Sequence, residues 1–175
     1  AELNGTPAVM VRDTAAALQE LATYVRGKNP IPLIAVTGSN GKTTTKELIV
    51  SILQQRYTVL KNQGNLNNLI GLPLSLLQMS PDHTAAVLEM GMNSPGEIAR
   101  LSRIARPNIG VITNVSAAHL SGLGSVENIL KAKGELVDSL GRDDTLVLNL
   151  TDSLCAQLAA RAKCRLITFG SGPGC

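Results

Sequence analysis

Three groups of residues have types and spacing suited to chemistry: the stretch VTGSNGKTTTKE at 36–47, Lys133 within KAKGEL, and His119 within ITNVSAAH. The first nearly spells the phosphate-binding pattern G-x-x-x-x-G-K-[ST]. Counting back from Gly41-Lys42-Thr43 puts the leading glycine at position 36, where the chain has Val36; a glycine comes two residues later, at Gly38. Gly38 and Gly41 allow a tight turn and close approach to anionic oxygens. The amides from Ser39 and Asn40 through Thr44 and the following helix N-terminus supply donors, and Lys42 adds a point charge. The Thr43 hydroxyl stands where it can bind Mg²⁺. Val36 then reads as the last buried residue of a strand, with a shortened loop starting at Gly38. The plainer alternative is a strand-to-helix turn that happens to carry a lysine.

Lys133 is conspicuous for its place in a helical pattern. Over residues 125–140, at about 100° per residue, Val126, Ile129, Leu130, Leu136, Val137 and Leu140 form one stripe with Lys133 at its centre, while Glu127, Lys131 and Glu135 lie on the other side. An inward lysine must snorkel, pair with an acid, lose its proton or be chemically changed.

Positioning these residues requires strands and helices in alternation. Apolar or β-branched runs at 33–37, 57–60, 85–90, 109–114, 145–149 and 165–169 alternate with helical periodicity at about 43–55, 66–78, 95–105, 125–140 and 152–162. That alternation predicts an α/β fold, a mostly parallel sheet flanked by helices. The helix at 43–55 should bury Leu48, Ile49, Ile52 and Leu53. The helix at 95–105 has Ser94 as a cap, Pro95 at its first position and Glu97 completing a capping box. The phosphate loop, Glu89 and His119 each follow a strand, so they gather at the sheet's C-terminal edge, where α/β proteins bind ligands.

The first 29 residues, with a helix presenting Leu18, Leu21, Ala22 and Val25 and then the loop GKNPIP, resemble the tail of a preceding domain plus a linker; residues 30–175 form the main domain, expected to be cut short at its C-terminal end. At 175 residues and 44% hydrophobic content there is material for one sizeable core. No apolar run reaches the roughly 18 residues of a membrane span, and the N-terminus lacks a signal-peptide profile, so no membrane insertion and a cytoplasmic location are expected. Three cysteines without C-x-x-C spacing, Cys155, Cys164 and Cys175, suggest neither disulfide framework nor zinc site. A net charge of +3 with no Trp, two Tyr and one Phe argues against a nucleic-acid partner.

Taken together, TGSNGKTTTKE, NLNNLIGLPLSLL, LEMGMNSPGEIARL, ITNVSAAHLSGLGS and KAKGEL resemble, in order, the motifs of the ATP-dependent Mur ligases of bacterial peptidoglycan synthesis. TGSNGKTTTKE and the GMN-x-x-GEI element favour the D-alanyl-D-alanine-adding branch. The resemblance implies a P-loop-type central ATP-binding domain, preceded by a domain that binds the UDP end of the substrate and followed by one that closes over the site. It also implies the roles of individual residues. Gly38, Ser39, Asn40, Gly41, Lys42, Thr43 and Thr44 would hold the ATP phosphates, and Thr43 and Glu89 would ligate one Mg²⁺. His119 would ligate a second Mg²⁺, and Lys133 matches a lysine that is carbamylated in this family, which gives the inward amine a chemical purpose. Asn67 and Asn68 match a polar segment near nucleotide and substrate, a loop-to-helix cap being the alternative; Asn114 is placed near substrate or caps a strand end. Asn149 matches the family's N-A-D-D position near the adenine, although Leu150 and Thr151 replace the alanine and first aspartate.

The implied partners are ATP, UDP-MurNAc-tripeptide and D-Ala-D-Ala, a monomeric enzyme using ATP to join the latter two through an acyl phosphate with release of ADP and phosphate. The alternatives are another ligase of the superfamily, of the diaminopimelate- or lysine-adding, folylpolyglutamate or cyanophycin type, or an ATP-binding module without catalysis.

Overall fold

The structure, a computed structural model, describes residues 7–116 and 125–171. The chain runs α1 (Thr14–Lys28), β1 (Leu33–Thr37), α2 (Lys42–Leu53), β2 (Val59–Lys61), α3 (Gly71–Leu76), β3 (Ala85–Glu89), α4 (Glu97–Ala105), β4 (Ile109–Ile112), α5 (Val126–Ser139), β5 (Thr145–Asn149), α6 (Ser153–Ala159) and β6 (Arg165–Phe169). The strands stand in the order β2-β3-β1-β4-β5-β6, and every adjacent pair is parallel. The mostly parallel α/β sheet expected from the sequence is therefore parallel throughout among the described residues.

Alternate residues of each strand serve opposite faces. Leu33, Ala35, Ala86, Leu88, Ile112, Leu146 and Leu148 join the larger core, which includes Ile98 and Leu101 of α4 and Ile129 and Leu136 of α5. On the other face Val36, Val87 and Val111 pack with Val50 of α2. After β1 the chain turns towards β2, whereas after β4 it proceeds towards β5 and β6. The order reverses between β1 and β4, and a crevice outside the strand ends at such a point is where this architecture takes ligands.

Several elements depart from the sequence reading. Helix α1 turns Gln19, Ala22 and Arg26 inward while Leu21 is exposed, because remote carbonyls satisfy the two polar side chains. Gln19 Nε2 donates to Leu69 O at 2.8 Å, and Arg26 Nε donates to Ala105 O at 2.7 Å at the end of α4. Helix α2 is rotated likewise: Ile49, Val50 and Leu53 pack on the sheet, and Leu48 and Ile52 are exposed. The helix expected over 66–78 shrinks to α3, since Gly64 takes a positive φ of 53° and residues 63–67 form turns. Strand β6 is an edge, with Leu166, Ile167 and Phe169 partly exposed.

Helix α4 starts two residues later than its expected cap. Its N-cap is Gly96, with no side-chain bond of its own. The donors at this end are satisfied from the neighbouring helix instead: Glu135 of α5 accepts from Gly96 N at 2.7 Å and Ala99 N at 2.9 Å. Glu97 accepts from Asn93 N at 2.7 Å, four residues back rather than three.

Candidate functional site

Strand β1 ends at Thr37, a buried residue whose hydroxyl donates to Met90 O at 2.9 Å, so burial continues one residue past Val36. The loop then turns at Gly38, where a β-carbon would lie 1.9 Å from Thr113 Oγ1; only glycine lets β1 and β4 diverge this closely. Gly41 is left-handed, with φ 76°, and hands the chain to α2.

The segment after β4 braces this loop. Ser39 N donates to Asn114 O at 3.0 Å and Asn40 N to Asn114 Oδ1 at 2.9 Å. Thr113 Oγ1 donates to Asn40 O at 2.7 Å, and Ser39 Oγ donates to Ser116 O at 3.0 Å. The amides of Ser39 and Asn40, counted among the phosphate donors in the sequence reading, are thus committed to holding the loop. The available donors are those at the head of α2, where the first-turn amides of Lys42, Thr43 and Thr44 have no partner within the helix. Lys42 folds back over the turn, its Nζ 3.1 Å from Gly38 O.

Beside that helix head, Thr43 Oγ1 donates to Glu89 Oε2 at 2.7 Å. Glu89 is buried at the end of β3, and Asn67 Nδ2 donates to its other oxygen, Oε1, at 2.7 Å. The pairing of Val36 with Glu89 across the β1–β3 ladder brings the carboxylate to the loop. A hydroxyl and a carboxylate next to a phosphate cradle form a hard oxygen set suited to Mg²⁺, which takes one or two such side chains and completes its shell with phosphate oxygens and waters.

The inward lysine is also where the helical pattern placed it. Lys133 is 1% exposed, and among the described residues no carboxylate forms an ion pair with it. Burial, and then the charge of Lys42, push its amine down to about 8, with Cys155 opposing slightly. Cys155, on α6, has its thiol pushed up to about 12 by burial and by neighbouring Asp152, so it stays protonated and packs as an apolar group.

The remaining expected residues divide. Asn68 Oδ1 accepts from Ile70 N and Gly71 N at 3.1 and 2.9 Å, a cap on the loop leading into α3, so its side chain is used locally. Asn149 Nδ2 donates to Thr113 O at 3.1 Å, which sets it at the same sheet edge. The exchange at Thr151 is structurally absorbed: its hydroxyl accepts from Ser171 N at 2.9 Å. His119 lies outside the described residues.

Sequence reasoning missed three residues here. Asp152 caps α6 through Leu154 N and accepts from Val115 N at 2.6 Å, tying the loop after β4 to that helix. Lys46 is 1% exposed and donates to Asn62 O at 2.8 Å, and Asn62 is wholly buried against Glu89. Lys46, Ile49, Val50 and Leu53 fall at i, i+3, i+4 and i+7, so the stripe test applied to Lys133 would have found Lys46 as well.

A model of the Mur ligase middle domain matches residues 36–174. The chain belongs to the Mur ligase family. This Mur ligase middle domain is 46% identical over 162 residues to the UDP-N-acetylmuramoyl-tripeptide–D-alanyl-D-alanine ligase of Synechocystis, a match covering 92% of this chain and 36% of that protein. Among solved structures it resembles a MurF from Acinetobacter baumannii with a TM-score of 0.90 at 38% identity, over 94% of this chain and 37% of the other. The MurF of Thermotoga maritima, solved in complex with ADP, superimposes with a TM-score of 0.88 at 34% identity, over 97% of this chain and 40% of that one. The chain therefore spans about a third of the length of the curated relatives it matches.

Proposed function

We propose that this chain is the ATP-holding part of a bacterial cytoplasmic ligase that joins D-Ala-D-Ala to UDP-MurNAc-tripeptide, residues 1–29 ending a preceding substrate domain. The observation that carries the reading is the Thr43–Glu89 contact of 2.7 Å at the head of α2, beside Lys42. The relatives named above supply the choice of substrates. The ADP complex of the T. maritima protein, whose fold this chain shares, supports a nucleotide at the phosphate loop.

In the proposed reaction the terminal carboxylate of the peptide attacks the γ-phosphorus of ATP, releasing ADP and leaving an acyl phosphate. The amine of D-Ala-D-Ala then adds to the acyl carbon, loses a proton and expels phosphate to form the amide. Two anions must meet in the first step, so the protein's task is positioning and charge neutralisation. The first-turn amides of α2 and the Lys42 ammonium hold the transferred phosphate's oxygens, and the loop's bracing by Thr113 and Asn114 keeps these donors in place. Thr43 and Glu89 would hold a Mg²⁺ that neutralises charge on the phosphates.

Lys133 fits the carbamate implied by the family resemblance on two counts. Its amine is buried without an acidic partner among the described residues, and a value lowered to about 8 enriches the neutral form that attacks CO₂. The product, formed with loss of one proton, would be an anionic oxygen donor towards a second Mg²⁺, with His119 as co-ligand in the same proposal. Incubation with ¹³C-bicarbonate should give a carbamate carbon resonance that Lys133→Met lacks; the same resonance in the variant would remove Lys133 from the role.

Titration of the chain with ADP tests the central claim. Binding should require Mg²⁺ for full affinity and weaken about tenfold or more in Lys42→Ala, the worth of a charge-assisted contact. Binding indifferent to both would overturn the site. The chain alone should form no ligated product, and measurable ligation of D-Ala-D-Ala by these 175 residues would show that no further domain is needed.

A further inference from the structure

The Glu89 carboxylate is held by more than its two side-chain contacts, and the additional support runs through residues with no assigned part in nucleotide binding. Asn62, just past the end of β2, is wholly buried and uses its carboxamide as a substitute strand: Glu89 N donates to its Oδ1 at 3.0 Å, and its Nδ2 donates to Glu89 O at 3.1 Å. Both backbone polar groups of Glu89 are thereby clamped at the point where the β2–β3 ladder has run out, after Lys61 opposite Val87. Asn62 Nδ2 also donates to Leu66 O at 2.9 Å, which draws in the loop that carries Asn67 to Glu89. Asn62 is in turn held from the helix. Lys46 Nζ donates to Asn62 O at 2.8 Å and pairs with Glu47 at 3.2 Å. Thr43 and Lys46 stand three residues apart on α2, neighbours on one face. One helical turn thus contacts the Glu89 carboxylate directly and, through Lys46 and Asn62, its backbone.

We propose that Lys46 and Asn62 are positioning residues for the Glu89 carboxylate, fixing it at the Thr43 hydroxyl so that the site takes nucleotide as its Mg²⁺ complex. Both are buried and spend their polar atoms on one another and on the backbone around Glu89, so they act through the geometry of the oxygen donors. The inference rests on the phosphate-loop reading above. Partners that orient a metal-ligating group from behind carry effects of about 10- to 100-fold on metal affinity.

The test is the affinity for ADP measured with Mg²⁺ and with EDTA, in the unaltered protein, in Lys46→Met and in Asn62→Ser, alongside circular dichroism and thermal melting. Unaltered protein should bind more tightly with Mg²⁺. In both variants the gain due to Mg²⁺ should shrink about tenfold or more, while affinity in EDTA stays within about twofold, a split that a general loosening of the fold would not produce. Lys46→Gln, which keeps a donor on a shorter stem, should recover part of the loss and serves where Lys46→Met does not fold. Equal weakening with and without Mg²⁺, or an undiminished Mg²⁺ effect in folded variants, would overturn the positioning role. Absence of any Mg²⁺ effect in the unaltered protein would instead overturn the phosphate-loop reading on which the role depends.

Discussion

Two lysines are buried to the same degree, each 1% exposed, yet their surroundings differ in kind. Lys46 lies on α2 three residues from Thr43, its ammonium donating to the main-chain carbonyl of Asn62 and pairing with Glu47. Lys133 faces the core from α5 with no ion pair among the described residues, and the positive charge of Lys42 acts on it. Burial alone does not say what a charge is for. A cation with a buried carbonyl as its acceptor organises structure. One left beside another cation carries a cost that loss of its proton, a ligand or a modification relieves.

The sharpest way to break this contrast is to make the same substitution at both positions. Lys46→Met should destabilise the protein by about 2 kcal/mol in denaturant titrations, because Asn62 O is left buried without its donor. Lys133→Met should be neutral or stabilising by about 1 kcal/mol at pH 7, since it replaces a costly buried charge by an apolar chain of similar length. Equal losses at the two sites would show that Lys133 is as well satisfied as Lys46.

A second, smaller effect follows from protonation. Lys133 has an ordinary value of 10.5 when unfolded and about 8 when folded. Between these the unfolded chain binds more protons, so stability should rise with pH. Cys155 opposes this above its ordinary value of 9.0, because its folded value near 12 makes the native state the better proton binder there. The clean window is therefore about pH 8 to 9. In CO₂-free buffer the midpoint of unfolding should climb across it in the unaltered protein and stay flat in Lys133→Met; parallel curves would contradict the lowered amine.

How much of this was visible in the sequence depended on whether the deciding partner was local. All six strands, the loop at Gly38–Gly41 and the inward Lys133 could be read, because β-branched runs, glycines and a lysine in an apolar stripe signal through their own neighbours in the chain. The inward faces of α1 and α2 were misjudged because Gln19, Arg26 and Lys46 find carbonyls up to 80 residues away, which makes polar side chains as good as apolar ones at the interface. The start of α4 moved for a similar reason, its donors being met by Glu135 from another helix. Within the site, Thr43 and Glu89 were legible as chemistry, whereas Asn62 was not. An asparagine that imitates a strand has no periodicity to announce it.

The smallest expected effect asks what satisfies Lys46. Its neighbour Glu47 is 45% exposed and shared with Lys61, whose hydrogen bond is the main reason the Glu47 carboxyl lies below the usual range. An exposed acid held between two lysines is screened by water and contributes little. Glu47→Gln should therefore cost no more than about 0.5 kcal/mol, and should leave the Mg²⁺ dependence of ADP binding intact, because the main-chain carbonyl of Asn62 still accepts from the Lys46 ammonium. The depressed carboxyl gives stability that is present above the ordinary value of 4.5 and fades as pH falls through the lower folded value, so the difference between the two proteins should vanish in acid. A loss matching that of Lys46→Met would mean that the ion pair, and not the buried carbonyl, anchors this lysine, and the contrast with Lys133 would become one between a paired and an unpaired charge.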